Sequence, residues 1–111
     1  MNTINFLFEN KIEWEEVGEG VRRQIMGYDD KLMTVKVEFQ TGAIGSLHAH
    51  PHSQITYVAS GIFEFEIDSV KKIVKAGDGL YMAPDVIHGV VCLESGILID
   101  SFSPVREDFL K

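Results

Sequence analysis

The chain reads as all-β, a single domain built as a β-sandwich or barrel. Three observations predict this. No stretch sustains the 3.6-residue apolar period of an amphipathic helix. Short runs of two-residue alternation recur instead, broken at close intervals by turn residues such as Thr41-Gly42, Ser60-Gly61 and Gly77-Asp78-Gly79. The 111 residues, 45% of them hydrophobic, suffice for one buried core and one domain, expected to span 1–111.

Taken in order, two short runs come first, at 13–17 and 21–28, so that residues 12–28 supply the N-terminal strands. Residues 32–39 put Met33, Val35, Val37 and Phe39 on one face and Thr34, Lys36 and Glu38 on the other. Residues 54–59 and 62–68 form an expected pair joined at Ser60-Gly61. In its second half Phe63, Phe65 and Ile67 alternate with Glu64 and Glu66. Residues 71–75 return, and 80–82, 89–93 and 97–102 complete a set of nine or ten short strands. The core is expected over about 30–103. Residues 103–111 contain Pro104 and read as irregular or as a final turn.

Composition excludes several classes. A net charge of −7 argues against nucleic acid and against anionic membrane surfaces. No run approaches the ~18 apolar residues of a membrane span. Met1-Asn2-Thr3-Ile4 shows no basic stretch ahead of a long apolar run, so no signal peptide is expected. A single cysteine, Cys92, precludes an internal disulfide and fits a cytoplasmic location.

The four histidines carry the chemistry. His48, His50 and His52 fall within five residues, and His88 stands apart. On a strand, residues i and i+2 face the same way, so His48 and His50 aim two imidazoles at one point. Gln54 reaches that point from the next strand and His88 from a third. Three imidazoles and an amide oxygen leave two positions of an octahedron open for a substrate.

At these residues the chain resembles the cupin superfamily. Gly42, five residues, His48-Ala49-His50, three residues, Gln54, six residues and Gly61 follow the spacing of its first motif, with Gln54 where most members have Glu. Gly77 and His88 match the ends of the second motif, with Ala83-Pro84-Asp85 in its Pro-x-Gly slot. The resemblance implies a double-stranded β-helix, the jelly-roll barrel. A narrower resemblance, to small cupins of pectin and alginate degradation, rests on Gln54, on Gly61-Ile62-Phe63-Glu64-Phe65 and on the segment from Asp100 to Phe109. It implies opening of 4,5-unsaturated monouronates to linear keto acids. The implied metal ligands are His48, His50, Gln54 and His88, holding one divalent ion such as Ni, Zn, Fe or Mn. The implied catalytic residues are Asp100 and Arg106, with Phe102 and Arg106 as substrate-binding residues. It also implies a homodimer, with the N-terminal strands as candidates for the interface.

The chemistry is consistent with these roles. A neutral Gln54 leaves a divalent site near +2, a stronger Lewis acid and anion trap than one with Glu. Arg106 adds a bidentate clamp for a carboxylate, which lets an acidic protein take an anionic sugar. Alternation puts Leu98, Asp100 and Phe102 on one face, and a carboxylate inside a barrel is costly unless paired or working. Asp100 is read as a proton shuttle, with a structural carboxylate paired to Arg106 as the alternative. His52 reads as an exposed turn histidine or a contact to the site, and Cys92 as a buried small hydrophobe. Of Arg22 and Arg23, adjacent on a strand, at most one faces inward. Tyr57 and Tyr81 are undecided between cavity and surface. The competing functions are a non-catalytic sugar-binding cupin and another metallo-cupin enzyme such as an oxygenase, which usually needs an anionic ligand.

Overall fold

The computed structural model describes residues 5–111, and the opening Met1–Ile4, considered above for a leader, lies outside them. Eight strands follow in order: β1 (Glu15–Gly18), β2 (Val21–Tyr28), β3 (Met33–Phe39), β4 (Ile44–His48), β5 (Ser53–Ile67), β6 (Val70–Lys75), β7 (Gly79–Met82) and β8 (His88–Ser103). Short 3-10 turns occupy Glu9–Lys11 and Glu107–Leu110. Pairing runs β1-β2-β3-β8-β5-β6, with β4 on β8 and β7 on β5, and every pair is antiparallel. No described helix is long and apolar enough to cross a membrane.

β5 and β8 are the frame. The first half of β8 pairs with β4 and its second half with β3, while β5 pairs with β7 and then β6. Each therefore serves two sheets and bends between them. This corrects two expectations. Ser60-Gly61 does not join two strands, and residues 89–93 and 97–102 are not separate. Each long strand is continuous through its bend, and the register slips at Val58/Ser60, Ser60/Ile62 and Ile62/Phe63. Gly61 takes φ +86, a left-handed conformation that glycine adopts without penalty. At the crossing the two backbones touch: a Cβ on Gly96 would stand 2.0 Å from the Ser60 carbonyl oxygen. Glycine is needed in either case, which is why a bend and a hairpin turn look alike in sequence.

The alternation in β3 and in the second half of β5 is as expected. Met33, Val35, Phe39, Phe63 and Phe65 are buried, and Val37 and Ile67 pack against them. Two apolar clusters result, one with Val58, Phe63, Cys92 and Leu98, the other with Met33, Val35, Phe102 and Val105. Cys92 is buried as expected. Between β5 and β6, Asp68 and Ser69 both take positive φ (51° and 67°), the signature of a two-residue type I′ hairpin.

Candidate metal centre

Three histidines reach one point from three places in the fold. His48 is the last residue of β4, and His88, the first of β8, pairs with it directly. His50 lies beyond β4 in the connection, so the expectation that both His48 and His50 sit on a strand is corrected. Its position is fixed instead by its backbone carbonyl, which accepts from the Asp85 N–H at 2.8 Å. Asp85 occupies the motif's glycine slot and takes φ +66, a conformation aspartate tolerates better than most residues. The three rings stand 4.4 to 5.6 Å apart between centroids, and one ligand atom from each lies within 4.8 Å of the others.

The donor set suits a metal. His48 Nδ1 is 2.8 Å from the Ser46 carbonyl and His88 Nδ1 is 3.0 Å from that of Val86. A carbonyl only accepts, so each Nδ1 carries the proton and each Nε2 offers a lone pair, the orientation usual for metal-bound histidine. His50 and His88 are buried, and burial is the main cause that holds both below the ordinary imidazole pKa; for His50 the Arg106 charge comes next. Gln54, on β5, is buried with Oε1 2.9 Å from His50 Nε2. Two neighbouring ligands on metal bonds of about 2.1 Å at right angles stand about 3.0 Å apart.

Thr56 sets the orientation of that amide, and sequence reasoning missed it. Gln54 Nε2 donates to Thr56 Oγ1 at 3.0 Å, and Thr56 Oγ1 donates to Asp100 Oδ1 at 2.7 Å. With its amino group so engaged, Gln54 presents its oxygen to the histidines. Cross-strand register explains the chain of contacts: Gln54 pairs with Phe102 and Thr56 with Asp100. The available signal was alternation, since Thr56 is two residues from Gln54 and shares its face.

Asp100 takes Thr56, and not Arg106, as its hydrogen-bond partner. Burial drives its pKa up from 3.8 to about 6, with the Thr56 and Gln54 hydrogen bonds and the Arg106 and His48 charges pulling the other way. Arg106 is no solvated tail charge. Its guanidinium lies 5.1 Å from the Phe102 ring centroid and 4.2 Å from that of Phe109, and it grips Asp108 through Nε and Nη2 at 3.0 and 2.9 Å. The bond from Arg106 holds the Asp108 carboxyl below its usual range. Phe102 is buried, at once core and wall of the site.

One cavity of about 230 Å³ gathers His48, Gln54, His88, Asp100, Phe102 and Arg106, with apolar walls from Val35, Val37, Phe39, Phe65 and Leu98. That is below the roughly 300–1,000 Å³ of pockets for drug-sized ligands and suits a single sugar ring. His52 lies outside the histidine triad. It is partly buried, 5.3 Å from the His50 ring and 6.5 Å from Phe102, which favours a contact to the site over an exposed turn histidine. The Nδ1 atoms of His50 and His52 are both buried without a hydrogen-bond partner. Tyr57 and Tyr81 are exposed and do not line this cavity, whereas Arg23 does.

Comparison with known proteins bears on the family and the fold. Residues 35–99 match the family model described as Cupin domain. The chain is 48% identical over 107 residues to the pectin degradation protein KdgF of Dickeya dadantii (strain 3937), covering 95% of this chain and 97% of that protein. Among solved structures, an RmlC-like cupin from Shewanella frigidimarina NCIMB 400 superposes with a TM-score of 0.94 at 48% identity, over 96% of each chain. KdgF from Halomonas sp. superposes with a TM-score of 0.92 at 38% identity, over 96% of this chain and 99% of that one.

Proposed function

The chain belongs to the cupin family, and we propose that it is a metal-dependent enzyme that opens 4,5-unsaturated monouronates to linear keto-uronates. The observation that carries this reading is the meeting of two members of a three-histidine cluster, His48 and His88, with a partly buried aspartate and an arginine on one sugar-sized cavity. The likeness to proteins named for pectin degradation supports the substrate class.

In this reading His48, His50, Gln54 and His88 hold one divalent transition metal. When bound, the ion supplies Lewis-acid polarisation of the substrate's oxygen atoms. Arg106 keeps one terminal amino group clear of its Asp108 pair and takes the substrate carboxylate. Phe102 and the apolar wall hold the ring and exclude water from its olefinic edge. Ring opening breaks the bond between the anomeric carbon and the ring oxygen. The anomeric hydroxyl loses its proton and becomes an aldehyde, C4 gains a proton, and the ring oxygen becomes the C5 ketone. One proton leaves and one is added, so no co-reactant is consumed. Asp100 is the shuttle, because a carboxyl with a pKa of about 6 exists in both forms near neutrality.

The reading includes a cytoplasmic homodimer. The outer edge of β1 pairs with no other described strand and is the natural seam between copies. The direct test is incubation with a 4,5-unsaturated monouronate while following the ultraviolet absorbance of its alkene. An enzyme abolishes the signal over many turnovers, whereas a protein that only binds the sugar leaves it unchanged.

A further inference from the structure

We infer that Arg23 is a substrate-specificity residue that binds the hydroxyl end of the sugar, opposite the carboxylate taken by Arg106. This rests on the reading of the ligand as a uronate and adds a residue to it. Strand geometry separates Arg23 from its neighbour. Arg22 turns outward onto Glu38 and Trp14. Arg23 turns inward and lines the cavity shared by His48, His88, Asp100 and Arg106.

Its donors are largely unspent. A guanidinium has five N–H groups. Arg23 uses Nε on Glu15 at 3.1 Å, and its terminal amino groups make no hydrogen bond among the described residues. Glu15 is a surface carboxylate at the back of the group, and only 17% of the Arg23 side chain is exposed. A mostly buried guanidinium whose unpaired donors border a cavity is built to meet oxygen atoms. Its guanidinium is also held in place: it lies 4.0 Å from the Phe109 ring centroid, and Arg106 lies 4.2 Å from the same ring.

Position selects which oxygens. Arg106 lies 5.1 Å from the Phe102 ring, which is itself 5.8 Å from the His50 ring, so it stands beside the histidine cluster. Arg23 is in register with Val37 and Leu98, two cross-strand rows, and so the next row on the same face, from Ile25, Val35, Asp100 and Thr56. With β3 between β2 and β8, the backbones at Arg23 and Asp100 are about 10–12 Å apart. A long arginine side chain and one sugar ring fill that distance between them. A uronate offers one carboxylate, and the metal and Arg106 account for it. The groups left for Arg23 are hydroxyls.

The test is binding of two probes to the protein as purified, by calorimetry: D-galacturonate, and tetrahydropyran-2-carboxylate, which keeps the ring and the acid and has no hydroxyls. Arg23→Leu is expected to weaken galacturonate about 10-fold and the hydroxyl-free acid less than about two-fold. Arg106→Leu is expected to weaken both. Equal weakening of the two probes by Arg23→Leu would show that Arg23 merely props Phe109 and Arg106, and would overturn the inference. No change with either probe, or no binding of galacturonate to the unsubstituted protein, would overturn it too. If Arg23→Leu does not fold, Arg23→Lys decides by the same comparison, with about a three-fold loss confined to galacturonate. Selective loss of galacturonate binding in a protein that leaves the alkene intact would support Arg23 while refuting the ring-opening reading.

Discussion

Asp100→Asn should stabilise the metal-free protein at neutral pH and leave it nearly unchanged in acid. Burial raises the Asp100 pKa from 3.8 to about 6. The folded state therefore holds this proton more tightly than the unfolded chain does. A raised pKa contributes stability that is complete below the unfolded value and is lost as pH rises through the folded value. At about 1.36 kcal/mol per pKa unit, the loss has a ceiling of about 3 kcal/mol, and about 2 kcal/mol of it falls between about pH 4.5 and about pH 7.5. Asparagine does not titrate, and its oxygen still accepts from Thr56. Urea unfolding of chelated wild type and variant at those two pH values is the assay. The variant's advantage should grow by about 2 kcal/mol at the higher pH and shrink when metal is restored, because a nearby cation lowers the carboxyl pKa. An advantage that is flat with pH, or larger in acid, would refute the burial argument. The same substitution should cut turnover at least about 100-fold with metal content unchanged.

Three other outcomes follow from the geometry. Thr56→Val removes the donor that favours ionised Asp100, so the acid limb of the pH–rate profile should move to higher pH, with about 1–3 kcal/mol lost in unfolding. Gly96→Ala drives a Cβ onto the Ser60 carbonyl oxygen and should cost more than about 4 kcal/mol, read as loss of soluble folded protein. Gly42→Ala meets nothing within 4 Å and is strained only by φ +88, so it should cost about 1 kcal/mol. Burial holds His50 and His88 below their ordinary 6.5, so dialysis across a pH series should show metal retained as pH falls past that value and released only in stronger acid.

Much of this was legible in the chain, for identifiable reasons. Motif spacing marked His48, Gln54 and His88 because each lies on a strand or at its end, where two-residue periodicity holds, whereas His50 lies in the connection and was marked by spacing alone. The same periodicity put Asp100 and Phe102 on the inner face. What stayed hidden depends on contacts between distant strands. Whether Ser60-Gly61 turned or bent depended on Gly96, 35 residues on, which only the folded crossing brings against it. Alternation allowed one of Arg22 and Arg23 inside and could not choose, because the choice follows from the β2–β3 register. The Arg106–Asp108 pair is local, two residues apart, yet it forms only because the last turn folds back over Phe102.

The most direct test of the account is anomalous scattering from crystals of the protein grown without chelator. The account predicts one transition-metal peak per chain within bonding distance of His48, His50, Gln54 and His88, facing Asp100 and Arg106 across the cavity. A peak that excludes His88, or full catalytic activity in crystals with no peak at all, would contradict it.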